Sequence, residues 1–150
     1  MSVDIERSSI KELQRIVELN KQIFDGMYEE EPYHLEVYEA KLKDLDSVIF
    51  VARKGERIIG DSISFPRSRE FYIWILGVNT EARKQGIGTR LIELNERYAR
   101  KHDFESVGVK VYDTSPDMKR LLSGRGYLIT RVDVSENDPK YNANHFRLNL

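Results

Sequence analysis

Two glycines and two basic residues in the run Arg83-Lys84-Gln85-Gly86-Ile87-Gly88-Thr89 are the part of the sequence best suited to chemistry. They separate a β-branched stretch ending at Val78 from a segment of helical periodicity carrying Ile87, Leu91, Leu94, Tyr98 and Ala99. A helix that begins there leaves its first N–H groups without intrahelical partners, and glycine lets a ligand approach them closely. Amides at the positive end of a helix dipole hold a diphosphate, and Arg83 and Lys84 add mobile positive charge. The same residues also suit an ordinary glycine-containing turn with solvated bases. A dinucleotide fingerprint would need a small residue where Leu91 stands and an acidic partner after the next strand, which Asp113 mimics poorly. An ATP-binding loop needs Gly-Lys-Ser or Gly-Lys-Thr, and Gly88-Thr89 lacks the lysine.

The elements that must hold this turn follow from pattern. A short strand at residues 3–6 precedes a helix capped by Ser8 or Ser9, with Ile10, Leu13, Ile16, Val17 and Phe24 on one face and Gly26 at its end. Pro32 suits the first turn of a second helix with Leu35, Tyr38, Leu42 and Leu45 on its apolar face. Residues 48–53, 57–65 and 71–78 read as an antiparallel meander, and a long helix runs from Ile87 to about His102. Strands at 107–111, 127–134 and 145–150, with a short helix at 116–122, complete the order. The fourth strand, long helix and next strand form a β-α-β unit, whose strands run parallel and favour ligands at their carboxyl ends.

A chain of 150 residues can bury one core, so a single domain over 1–150 is expected. Lys plus Arg is 24 against 25 Asp plus Glu, so a net charge of -1 gives no global pull toward nucleic acid or an anionic membrane. Arg97, Arg100 and Lys101 read as a solvated helix face, not as a nucleic-acid site. No cysteine is present, and His34, His102 and His145 lack ligand spacing, so no metal is assigned. No membrane-length apolar run or signal peptide is seen, which predicts a soluble, cytoplasmic protein.

The motif Arg83-Lys84-Gln85-Gly86-Ile87-Gly88 meets the signature (R or Q)-x-x-G-x-(G or A) and so resembles the GNAT superfamily of N-acetyltransferases. Leu76-Gly77-Val78 is similar to that family's upstream strand end, Gly126-Tyr127 to its late Gly-aromatic pair, and the element order fits along nearly the whole chain. The resemblance implies an α+β fold: a mixed, mostly antiparallel sheet of six or seven strands, about four helices and a β-α-β acetyl-CoA-binding core. It implies an acyltransferase that passes the acetyl group of acetyl-CoA directly to a primary amine of a small molecule, polyamine or protein. A non-catalytic acyl-CoA sensor is the alternative. By the same likeness, amides of Gln85, Gly86, Ile87, Gly88 and Thr89, with Arg83 and Lys84, hold the CoA pyrophosphate. Pantetheine lies along Leu76, Gly77 and Val78 where the fourth and fifth strands splay, with Gly77 easing its approach. The Val78 amide polarises the thioester carbonyl, and Ser115 stands near an Asn that often contacts CoA.

The family's usual glutamate base is replaced by Tyr72 and its usual tyrosine acid by Leu122. Strand periodicity puts Glu70, Tyr72, Trp74 and Leu76 on one face, so Glu70 is the expected base, acting through water. Tyr112 is the expected proton donor, with Tyr127 as a substitute. The run Tyr28-Glu29-Glu30-Glu31-Pro32-Tyr33 suits a cationic amine acceptor or a plain solvated loop. Exposed carboxyl-terminal strands offer an edge for a homodimer.

Overall fold

The computed structural model describes residues 2–28 and 32–150, so Glu29, Glu30 and Glu31 of the expected acidic loop lie outside the described residues. Among those residues seven strands form one sheet: β1 (Asp4–Ser8), β2 (Val48–Lys54), β3 (Arg57–Arg67), β4 (Glu70–Val78), β5 (Ser106–Tyr112), β6 (Leu128–Asp133) and β7 (Ala143–Asn149). Their spatial order is β1-β2-β3-β4-β5-β7-β6, and every neighbouring pair is antiparallel except β4 with β5. Four helices flank the sheet: α1 (Leu13–Ile23), α2 (Leu35–Leu42), α3 (Ile87–Lys101) and α4 (Pro116–Gly124).

Strands β2, β3 and β4 are buried almost continuously because helices cover both of their faces. On one face α1 and α2 pack Leu13, Ile16, Val17, Tyr38 and Leu42 against Val51, Ile63 and Ile75. On the other, α3 and α4 pack Ile87, Leu91, Ile92 and Leu122 against Phe71, Ile73, Val107 and Phe146. The first pair of helices packs mainly on β3 and β4, and farther along that face Lys110 of β5 and Arg147 of β7 are exposed.

Two amino-terminal elements differ from expectation, and the carboxyl-terminal strands take an order that the sequence pattern did not assign. Strand β1 runs on to Ser8, and Ser9 caps a single 3₁₀ turn by accepting from the Lys11 N–H, which leaves Ile10 exposed. Helix α2 begins after His34, not at Pro32, and ends before Leu45 because Asp44 takes a left-handed conformation at φ 63°. Strand β7 inserts between β5 and β6, which leaves β6 as an edge exposed along its whole length.

One polar pair is sealed inside the first layer. Asn20 Nδ2 donates to Asp61 Oδ1 at 3.1 Å and lies 3.2 Å from the Tyr38 hydroxyl. Among the described residues, Asn20 Oδ1 and Asp61 Oδ2 are the buried side-chain atoms without a partner. A proton on Asp61 supplies the donor that Asn20 lacks, and complete burial pushes the Asp61 pKa up to about 8. The unfolded acid ionises near ~3.9. Folding at intermediate pH therefore takes up a proton, and stability falls as pH rises from about 4 toward about 8. Asp61→Asn keeps a donor toward Asn20 without a proton to lose, so its melting temperature should be flat between pH 5 and pH 8. The native chain should lose stability over that range, and parallel curves for the two proteins would show that Asp61 is not held neutral.

Candidate active site

The parallel pairing of β4 with β5 covers Glu70↔Ser106 through Ile73↔Val109 and then stops. Its end coincides with a bulge: Ile63 pairs with Ile75 while Ser64 pairs with Ile73, so Trp74 is an additional residue in β4. A bulge bends and twists its strand. Here Trp74 and Ile75 both pack toward α1 and α2, while Leu76 and Val78 pack toward α3. The expected common face of Glu70, Tyr72, Trp74 and Leu76 is thus corrected at Leu76.

Beyond Trp74 the strands part and frame a cleft of about 470 Å³. The Asn79 N–H donates to Ile59 O on β3 at 2.8 Å. By alternation, the main-chain groups of Val78 and Leu76 face the opposite way, into the gap left by β5. Arg83 Nε lies 3.3 Å from the Val78 carbonyl and braces the turn that follows.

At the head of the cleft Lys84 (φ 66°) and Gly86 (φ 76°) both adopt left-handed conformations, which cost a non-glycine residue such as Lys84 about 1 kcal/mol. This turn aims the start of α3 into the cleft. Gly86 is its N-cap and no side chain caps it, so the first amides of the helix keep their donors. A Cβ on Gly88 would have no protein atom nearer than 3.9 Å, so packing does not demand glycine there. That leaves open space beside the first amides of α3, which a diphosphate held by those amides would need. Gly77 differs: a Cβ there would meet Phe24 at 2.9 Å and Ile23 at 3.1 Å. Its small size serves the docking of α1, while the residue also lines the cleft.

All of the expected coenzyme-site residues except Gln85 line the cleft: Leu76, Gly77, Val78, Arg83, Lys84, Gly86, Ile87, Gly88, Thr89 and Ser115. Gln85 lies within the turn between Lys84 and Gly86. Ser115 precedes Pro116 at the start of α4, whose far end is tied to α3 by Arg125. Arg125 Nη2 meets Glu96 Oε1 at 2.5 Å, and the Tyr127 hydroxyl donates to Glu96 Oε2 at 2.9 Å. Burial pushes the Tyr127 pKa up, and the residue sits in this core cluster outside the cleft, so it is no substitute acid.

Tyr112 lines the cleft at the end of β5, edge-on to Tyr28 at 4.8 Å between ring centres, with Lys110 Nζ 5.5 Å from its ring centre. Phe24, Met27, Tyr28 and Trp74 complete an aromatic wall that the sequence reading missed, apart from the tyrosine. Lys110 was missed as well, although its alternation with Tyr112 puts it on the same face. Thr114 Oγ1 donates to Met27 O at 2.7 Å and fastens this wall to the β5–α4 connection. Burial raises the pKa of Tyr28 and of Tyr72, so both stay protonated at neutral pH.

Glu70 is not brought to the cleft. Seven strand residues lie between it and Val78, a rise of roughly 25 Å along β4. Its carboxylate pairs with Arg67 at 3.2 Å and lies over Gly108, where a Cβ would come within 1.6 Å of it. Its expected role as base is corrected on that ground: strand periodicity assigned its face correctly but not its height. Among the described residues the cleft's carboxylate is Asp117, which is exposed and pairs with Arg120. No group of three His, Asp or Glu able to hold a metal occurs among the described residues.

Residues 13–127 match the family described as Acetyltransferase (GNAT), and the chain belongs to it. No curated protein matches the sequence. Among solved structures, the ribosomal-protein-S18-alanine N-acetyltransferase of Escherichia coli superposes with a TM-score of 0.85 at 12% identity, covering 99% of this chain and 94% of that one. NAA60 of Arabidopsis thaliana, solved with a bisubstrate analogue, gives 0.79 at 18% identity with 99% and 98% covered. The PaiA N-acetyltransferase of Thermoplasma acidophilum, solved with coenzyme A, gives 0.74 at 16% identity with both chains fully covered. The protein is an acetyl-CoA-dependent N-acetyltransferase, and nothing favours the non-catalytic sensor.

Gly88→Leu should still fold, because a Cβ there comes no nearer than 3.9 Å to Leu121 and Val78. It should weaken acetyl-CoA binding in calorimetry at least about tenfold, and unchanged affinity would move the diphosphate away from this turn. Glu70→Gln should leave the acidic limb of the pH–rate profile in place, and a flattened limb would return Glu70 to the mechanism.

Proposed function

We propose that the chain transfers acetyl from acetyl-CoA to a primary amine presented at the aromatic end of the cleft. The observation that carries this reading is the gap between β4 and β5 beside the uncapped start of α3. The amides from Gln85 to Thr89, with Arg83 and Lys84, grip the diphosphate. Main-chain groups of Leu76 and Val78 meet the pantetheine arm, and the Val78 N–H faces the oxygen on which negative charge develops. Ser115 and the start of α4 close the other side.

The acceptor must arrive as the neutral amine, whose proton equilibrium near ~10.4 opposes this at neutral pH. Lys110 assists, since a like charge beside the acceptor disfavours the ammonium form. The released proton passes to water in the open cleft. Tyr112 is the proton donor for the departing thiolate, because its side chain lies at the carboxyl end of β5 where the reacting groups meet. The aromatic wall of Tyr28, Trp74 and Tyr112 suits a cationic amine before it loses its proton. No helix among the described residues is long and apolar enough to cross a membrane. The reading places the enzyme in the cytoplasm, where a chain without cysteine needs no oxidising partner. The exposed edge of β6 is the surface on which a homodimer would form.

Following free thiol as acetyl-CoA meets a panel of amines tests the reaction. Tyr112→Phe should lower kcat about tenfold or more with acetyl-CoA affinity unchanged, and full turnover in this variant would assign the proton to another group.

A further inference from the structure

The exposed face of the sheet carries a second pocket, of about 100 Å³, beyond the bulge. Its walls come from five strands: Arg67 of β3, Glu70 and Tyr72 of β4, Val109 of β5, Thr130 and Arg131 of β6, and His145 and Arg147 of β7. Alternation explains why they meet. Val109, Val111 and Phe146 point into the α3 core, so their neighbours Lys110, His145 and Arg147 point the other way. Register then sets Gly108 beside Tyr72 on one side and Arg147 on the other, and Arg131 beside His145.

The charges in this pocket do not cancel. Glu70 is engaged by Arg67, whose guanidinium also lies 3.8 Å from the Tyr72 ring centre. Asp133 pairs with Arg131 at 3.1 Å and lies 2.8 Å from His145 Nε2. Three arginines thus face two carboxylates, and Arg147 has no ion pair among the described residues. Thr130 and His145 add further hydrogen-bonding capacity. A carboxylate is the ligand that this set completes, through a forked guanidinium contact.

The pocket also adjoins the cleft. Val109 lines both, and Tyr72 and Trp74 are neighbours on one face of β4. From Tyr72 to Leu76 the strand rises roughly 12 Å, the span of about three or four residues of extended peptide. We infer that this pocket is a distal subsite for the acceptor, binding a carboxylate side chain three or four residues beyond the amine of a peptide amino terminus. The inference rests on the acetyl-transfer reading above and narrows it. A polyamine would bring only positive charge to the same basic ground.

The test is a set of peptides in which one Glu, Gln or Lys is moved through positions two to six, assayed by thiol release with the native chain, Arg147→Gln and Arg147→Glu. Glu at one position near the fourth should raise kcat/KM about fivefold over Gln, with less advantage at high salt. Arg147→Gln should abolish that preference, and Arg147→Glu should transfer it to Lys at the same position, with acetyl-CoA affinity unchanged. Rates indifferent to charge at every position would overturn the inference while leaving acetyl transfer standing. So would an equal effect of Arg147→Glu on neutral and acidic peptides, or polyamines outcompeting every peptide. Absence of both acetyl-CoA binding heat and thiol release would instead remove the reading on which it rests.

Discussion

Main-chain pairing between β4 and β5 lasts for four residue pairs and then ceases inside the protein, and the other features of the site depend on that interruption. An amide left without a partner away from water costs about 1–3 kcal/mol, so a gap of this kind is stable only if solvent or a ligand with amides of its own satisfies it. The additional residue at Trp74 turns β4 away from β5 at the point where pairing ends. Trp74 is in turn fixed in a cluster of rings, with Tyr38 at 5.2 Å and Tyr33 at 5.9 Å between centres. The bulge is thus anchored in the α1–α2 layer, and the gap opens toward α3.

Polar contacts then set how the walls of that gap sit. Asn95 of α3 donates to Ser62 Oγ at 3.0 Å and accepts from Ser64 Oγ at 2.6 Å, which fixes the rotation of the helix over β3. Glu96, one residue on, holds Arg125 and Tyr127 at the far end of α4. Truncating one member of such a buried set leaves the others without partners, which is costlier than replacing the whole set by apolar groups. These contacts lie outside the cleft, yet they decide where the first amides of α3 and the start of α4 stand. The surface ion pairs, such as Arg69 with Glu105, contribute little by comparison because water screens them.

The long helix and the turn before it were legible in the sequence because two independent signals agree there. Apolar residues recur at the helical period from Ile87, and Gly86 stands where the backbone takes a positive φ that other residues resist. The four helices and seven strands were legible for a similar reason, through β-branched runs and period changes. Three features were not. The bulge at Trp74 leaves no mark on composition, so faces assigned by alternation were right as far as Trp74 and reversed at Leu76. The insertion of β7 between β5 and β6 is a long-range pairing that local pattern does not record. Arg67, Arg131 and Arg147 are distant in the chain, and only the sheet order brings them to one pocket. Glu70 shows the converse limit, since its type suited the chemistry while its position along β4 did not.

The parted strands make the sheet a partition with a slit in it. Helices α3 and α4 stand on one side of that slit, and the aromatic wall built from the end of α1 stands on the other. On the proposed reading, a donor seated against α3 and an acceptor arriving over the exposed face would use separate doorways. Neither reactant would then have to leave before its counterpart enters, and each product could depart by the route its precursor took.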